Sequence, residues 1–169
     1  MRTRIVGTVA AVGAAAAVLG AGALASGQSG SYGSAQAGKL EKRALFAVLT
    51  GKKEVDLEGN RGVGDPDGRG SFTATVDGTQ LCFGITVKNL DAPVAAHIHR
   101  GRSNQNGPIV VPLTPHPSGG DPGASSGCVT VDAALSRAIL KNPHKYYANV
   151  HTAAFGAGAV RGQLFRKSN

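Results

Sequence analysis

The chain has 169 residues, with 18 Lys and Arg against 10 Asp and Glu, and a formal net charge of +8. Charged residues make up only 17% of it, which excludes a coiled coil. The low aromatic content, with no Trp, argues against a nucleic-acid binder built on stacked rings. A modest aliphatic core with 25 Gly fits one all-β domain of ordinary size.

The first 25 residues have the pattern of a secretory signal peptide. Arg2 and Arg4 precede the uncharged, Ala-rich stretch Ile5–Leu24, and Ala23–Ala25 forms a small-x-small cleavage site. We predict cleavage near Ala25, a secreted and extracellular mature protein, and no membrane attachment afterwards. A retained membrane anchor is the alternative, but Ala and Gly make the stretch a weak spanning segment.

Residues 26–43 are predicted to be a flexible linker, because Ser26–Gly38 is mostly Ser, Gly and Gln. The folded domain is then expected over residues 44–166. Its basic residues are scattered, which indicates an evenly solvated surface; the alternative is weak attraction to acidic cell-wall polymers. We expect a monomer with an unidentified extracellular or cell-wall partner and no nucleic-acid binding.

The domain is predicted to be built from seven or eight short strands. The strand pattern is clearest in Leu81–Lys88, where large apolar side chains occupy every second position. Residues Thr114–Gly127, rich in Pro, Gly and Ser, are predicted to be a loop. The strands are expected at Ala44–Thr50, Ser71–Val76, Leu81–Lys88, Val94–Arg100, Gly107–Leu113, Cys128–Val131, Lys145–Thr152 and Ala159–Arg166.

One helix is predicted between the sixth and seventh of these strands. Asp132 is a good N-cap, Leu135 and Ile139 lie one turn apart, and Asn142-Pro143 ends the segment. Because no helix recurs between the other strands, a Greek-key β-sandwich or barrel with one short crossover helix is favoured over a parallel sheet.

Cys82 and Cys128 are the two cysteines of the chain. An even number of cysteines in an exported protein indicates a disulfide. Each Cys also lies on the side of its strand opposite the large apolar residues, so the two side chains can meet across one sheet face. A thiolate metal ligand or a reactive thiol is the alternative, which the absence of a C-x-x-C spacing disfavours.

His97 and His99 are the sharpest chemical feature of the sequence. Residues two apart on a strand point to the same side, so both imidazoles can converge on one metal ion or one polar group. If the strand of His151 lies beside theirs, three nitrogen ligands gather, which suits Zn or Cu. The alternative is a hydrogen-bonded network that pins the strands. No nucleophile arrangement or nucleotide-binding loop is present, so we predict no catalytic residues.

Several motifs, taken in order, resemble the chordin-type domain, called CHRD. The similarity runs from about Leu49 to Leu164 and implies an extracellular β-sandwich module with a non-enzymatic structural or binding role. Within these motifs, Asn106, Asn149 and Arg161 are expected to form a structural or binding cluster. The motifs are DPDG (65–68), AHIHRG (96–101), NGPIV (106–110), YANVHT (147–152) and GAVRGQL (158–164).

The H-x-H strand is also similar to the copper-ligand strand of Cu/Zn superoxide dismutases, which have a Greek-key fold. That similarity carries only His97, His99 and His151 as metal ligands. The bridging His and the Asp of a dismutase site have no counterparts here, so no dismutase activity is expected. Two hypotheses remain: a structural or binding module without cofactor, and a secreted Cu- or Zn-binding domain.

Overall fold

A computed structural model describes residues 43–166 of the chain. The predicted signal peptide, and the predicted linker up to residue 42, lie outside these residues. The described part contains eight strands, one α-helix and two single-turn 3-10 helices, at Gly51–Lys53 and Pro143–Lys145. The main elements are β1 Arg43–Thr50, β2 Arg69–Asp77, β3 Gln80–Lys88, β4 Pro93–Arg100, β5 Ile109–Pro112, β6 Gly123–Thr130, α1 Ala133–Lys141, β7 Tyr146–Thr152 and β8 Val160–Gln163.

All eight strands pair antiparallel in one sheet, in the order β5-β4-β7-β8-β1-β2-β3-β6. The sheet curls into a half-barrel. Of the two predicted architectures, a β-sandwich and a barrel, the structure is therefore closer to the barrel. Helix α1 joins β6 at one edge of the sheet to β7 near the other edge. The all-β class with eight strands and one crossover helix is therefore confirmed.

The hydrophobic core lies against one side of the sheet. In β3, Leu81, Phe83, Ile85 and Val87 are all buried while the residues between them are not, so the predicted alternation is confirmed. Helix α1 adds the fully buried Ile139 to this core. Asp132 caps the helix by accepting hydrogen bonds from the backbone N–H groups of Ala134 and Leu135.

Strand β6 corrects the predicted loop, because it begins at Gly123 instead of Cys128. Every residue from 123 to 130 is paired with β3. This pairing overrides the weak strand preference of Gly and Ser. Gly127 also needs to lack a side chain, since a Cβ there would lie 2.9 Å from the carbonyl oxygen of Thr114. The partner strand, which local sequence cannot reveal, therefore sets where β6 begins.

The predicted disulfide is confirmed. Cys82 and Cys128 lie directly opposite each other on β3 and β6, and their sulfur atoms are 2.11 Å apart. The bond ties the edge strand β6 to the body of the sheet.

Candidate metal centre and the polar layer around it

Neighbouring strands β4, β7 and β8 carry polar side chains on the side opposite the core. Their apolar residues, such as Ile98, Ala148 and Val160, belong to the core, and the residues between them therefore face the other way. Cross-strand register places His97 beside Asn149 and Asn149 beside Arg161. We call this set the polar layer: His97, His99, Tyr147, Asn149, His151, Arg161 and Gln163.

Loops cover the polar layer and bury most of it. His99 and His151 are less than a tenth exposed, and Arg161 is 1% exposed. Arg161 donates hydrogen bonds to the carbonyl oxygens of Arg102 and Gln105, at 2.8 and 3.0 Å. The β4–β5 loop therefore folds over the sheet and closes the layer from above.

Within this layer the three predicted histidines come together. One ring nitrogen from each of His97, His99 and His151 lies within 4.8 Å of the others. The closest pair is Nδ1 of His97 and Nε2 of His151, which are 3.1 Å apart. The gathering depends on β4 and β7 being neighbours, and the two strands pair antiparallel.

Backbone carbonyl groups orient two of the three rings. Nδ1 of His99 lies 2.8 Å from the Gly107 oxygen, and Nδ1 of His151 lies 3.0 Å from the Gly156 oxygen. Because a carbonyl oxygen only accepts, both Nδ1 atoms carry the proton, and this assignment leaves each Nε2 unprotonated, that of His151 facing Nδ1 of His97. Nε2 of His99 is buried and has no hydrogen-bond partner among the described residues.

Burial keeps the three imidazoles neutral. Burial, followed by the nearby rings of His151 and His99, lowers the pKa of His97 to about 4. Burial also lowers the pKa of His99 and of His151, although the carbonyl groups that their Nδ1 atoms contact oppose the change. At neutral pH, nitrogen lone pairs are therefore available to a cation, as metal binding requires.

A stack of three side chains supports His99. The ring of Tyr147 lies parallel to the His99 ring, with centroids 4.8 Å apart, and the Arg161 guanidinium lies 3.5 Å over the Tyr147 ring. The Tyr147 hydroxyl donates to Asn106 at 3.1 Å and accepts from the Gly107 N–H at 3.3 Å. Tyr147 therefore holds both His99 and the loop whose carbonyl group orients it.

Glu54 is a buried carboxyl group at the edge of the same layer. It is 2% exposed and accepts a 2.6 Å hydrogen bond from the Asn149 side-chain amide. Burial raises the pKa of Glu54 to about 8, against the attraction of Arg161. The protonated form of Glu54 therefore predominates at neutral pH.

A protein-family model of the CHRD domain matches residues 45–164. The chain belongs to the CHRD domain family. The match covers most of the described chain, including all three histidines and the strands that carry them. No curated protein and no solved structure matches the chain. CHRD domains are generally extracellular, and no helix among residues 43–166 is long and apolar enough to cross a membrane.

The three residues of the predicted cluster, Asn106, Asn149 and Arg161, contact two different side chains of this CHRD domain, Tyr147 and Glu54. Asn106 and Arg161 both contact Tyr147, whereas Asn149 bonds to Glu54. Sequence analysis missed Tyr147, although its place two residues before Asn149 on the same strand indicates the same face. It also missed Glu54, which lies in an irregular segment where no periodicity shows which way a side chain points.

Proposed function

We propose that this CHRD domain is a secreted, non-enzymatic binding module that holds one Cu or Zn ion on His97, His99 and His151. The observation that carries the proposal is the Nε2 atom of His99. It is buried without a hydrogen-bond partner among residues 43–166, beside two other imidazoles. A buried polar atom left without a partner is costly, and a bound cation would satisfy it.

The spacing of the nitrogens supports a shared ion. Zn–N bonds of about 2.0–2.1 Å in a tetrahedral site place two ligand nitrogens about 3.3 Å apart. Nδ1 of His97 and Nε2 of His151 are already 3.1 Å apart. All three nitrogens lie within 4.8 Å of one another, so a shared ion requires only a small approach of the rings.

The carbonyl contacts of His99 and His151 support the same proposal. Metal-binding histidines usually donate their second ring N–H to a carbonyl or carboxylate group, which fixes the ring and its tautomer. Here Gly107 and Gly156 supply the backbone oxygens.

A purely structural role is the second candidate, and one observation favours it. His97 and His151 can hydrogen-bond directly to each other and so join β4 to β7 without any ion. His151 also contacts the carbonyl group of Gly156 in the loop after β7. In that case the cluster stabilises the fold and has no affinity for metals.

Titration of the purified, metal-free full chain with Zn²⁺ and Cu²⁺ separates the two candidates. Metal binding predicts one ion per chain with a Kd of about 1 µM or tighter for at least one metal, lost in His99→Ala. His144→Ala is the matched control, because His144 is exposed and outside the cluster. Binding that is absent, or that survives in His99→Ala, would refute the metal site.

A further inference from the structure

A groove with a basic lining runs over the outer side of β1, β2 and β3, away from the polar layer. Its volume is about 660 Å³, within the range of roughly 300–1,000 Å³ typical of ligand sites. Side chains from all three strands and from the adjoining loops line it. Its charged lining residues are Lys52, Asp67, Arg69 and Lys88, and we call it the basic groove.

Two of its cations lie directly opposite each other. Arg69 on β2 pairs in register with Lys88 on β3, so both side chains project from the same side of the sheet. Both are exposed. Like charges at such a pair of positions destabilise a sheet. The Arg69–Lys88 pair is therefore expected to lower the stability of the sheet. Such locally unfavourable arrangements are expected at functional sites.

A pair of hydroxyl groups lies next to these cations. Ser71 and Thr86 are the next outward-facing pair along the same two strands, and their side-chain oxygens are 2.8 Å apart. Val48, which is 56% exposed, lies opposite Ser71 on β1. The basic groove therefore offers positive charge, hydroxyl groups and an aliphatic surface within two rows of side chains.

We propose that the basic groove binds an acidic polysaccharide whose sugars carry uronate carboxylates. The Arg69 fork and the two lysines match carboxylate groups, the hydroxyl pair matches sugar hydroxyls, and Val48 can pack against the aliphatic side of a sugar ring. No aromatic residue lines the groove, so a single-stranded nucleic acid would find no ring to stack on.

The basic groove is separate from the candidate metal centre. Its lining comes from β1, β2, β3 and adjoining loops, whereas the histidines lie on β4 and β7. Substitutions that remove charge from the groove, such as Arg69→Gln/Lys88→Gln, are therefore expected to leave metal binding unchanged. The outcome of either test does not decide the other.

The test is a binding titration of the full chain with a fluorescent alginate oligosaccharide, compared with neutral dextran and with single-stranded DNA. The double variant Arg69→Gln/Lys88→Gln is expected to weaken alginate binding by about tenfold. The control double variant, Arg137→Gln/Lys141→Gln, removes the same charge from exposed positions on α1 and is expected to weaken it by less than about twofold.

Three results would overturn the proposal. Equal losses in both double variants would mean that the net positive charge, and not the groove, attracts the polymer. Equal binding of neutral dextran would remove the role of the carboxylates, and equal or tighter binding of DNA would reassign the surface. Absence of saturable alginate binding at low salt would contradict the proposal outright.

Discussion

The buried Glu54 provides a quantitative test of the polar layer. Its pKa is raised from 4.5 to about 8 in the folded protein, so the folded chain holds a proton that the unfolded chain loses near pH 4.5. The stability contributed by this group is complete below pH 4.5 and is lost as the pH rises through 8. Glu54→Gln keeps an oxygen acceptor for Asn149 and removes this dependence.

The histidine cluster titrates partly in the same pH range as Glu54. The pKa of His97 is lowered from 6.5 to about 4, so this group adds stability as the pH rises through those values, in the opposite direction to Glu54. Glu54→Gln keeps the histidines, so the difference between the two proteins isolates Glu54. One pKa unit corresponds to about 1.4 kcal/mol. Between pH 6.5 and pH 8, Glu54 alone should therefore lower the free energy of unfolding by about 1.5–2 kcal/mol.

The assay is urea unfolding of the metal-free chain at pH 6.5 and at pH 8. Between these values the change in stability of the wild type is expected to be about 1.5–2 kcal/mol less favourable than that of Glu54→Gln. Glu58→Gln is the control, because Glu58 is exposed. If the wild type and Glu54→Gln show the same difference between the two pH values, Glu54 is not protonated in the folded protein and its described environment is wrong.

Three further predictions concern stability and are measured by urea unfolding. Cys82→Ser/Cys128→Ser removes a crosslink across 46 residues, worth about 4 kcal/mol in the loop-entropy model; an unchanged stability would contradict this. Gly158→Ala should lower the free energy of unfolding by about 1–3 kcal/mol, because φ is +149° and a Cβ would lie 2.6 Å from the Asn149 amide nitrogen. Gly156→Ala is the control and should lower it less, because a Cβ there meets no atom within 4 Å. Lys88→Gln should stabilise the chain by about 0.2–1 kcal/mol by relieving Arg69, and a loss of stability would argue against the charge conflict.

Periodicity explains why most of the fold could be predicted from the sequence. In β3 the alternation is complete, since Leu81 to Val87 are buried at every second position. In β6 the side chains are small and alternate little, and only its pairing with β3 makes Gly123–Thr130 a strand. Local patterns can therefore identify strands with a large apolar face, but not an edge strand formed by its partner.

The candidate site was predictable to the level of strand faces. His97 and His99 had to point the same way because they are two apart, and one assumption about strand neighbours added His151. The carbonyl groups of Gly107 and Gly156 that orient His99 and His151 lie in loops. Their positions depend on tertiary packing, and no residue type in the sequence marks a backbone oxygen.

The most direct test of the metal centre is the coordination of the metal in the full chain, loaded separately with zinc and with copper and measured by X-ray absorption after gel filtration. For at least one of the two metals we expect one retained ion per chain with three imidazole nitrogens, at about 2.0–2.1 Å in the case of zinc, and loss of the ion in His99→Ala. A chain that emerges without either metal, or with the metal bound by fewer than three imidazoles, would contradict a metal centre on His97, His99 and His151.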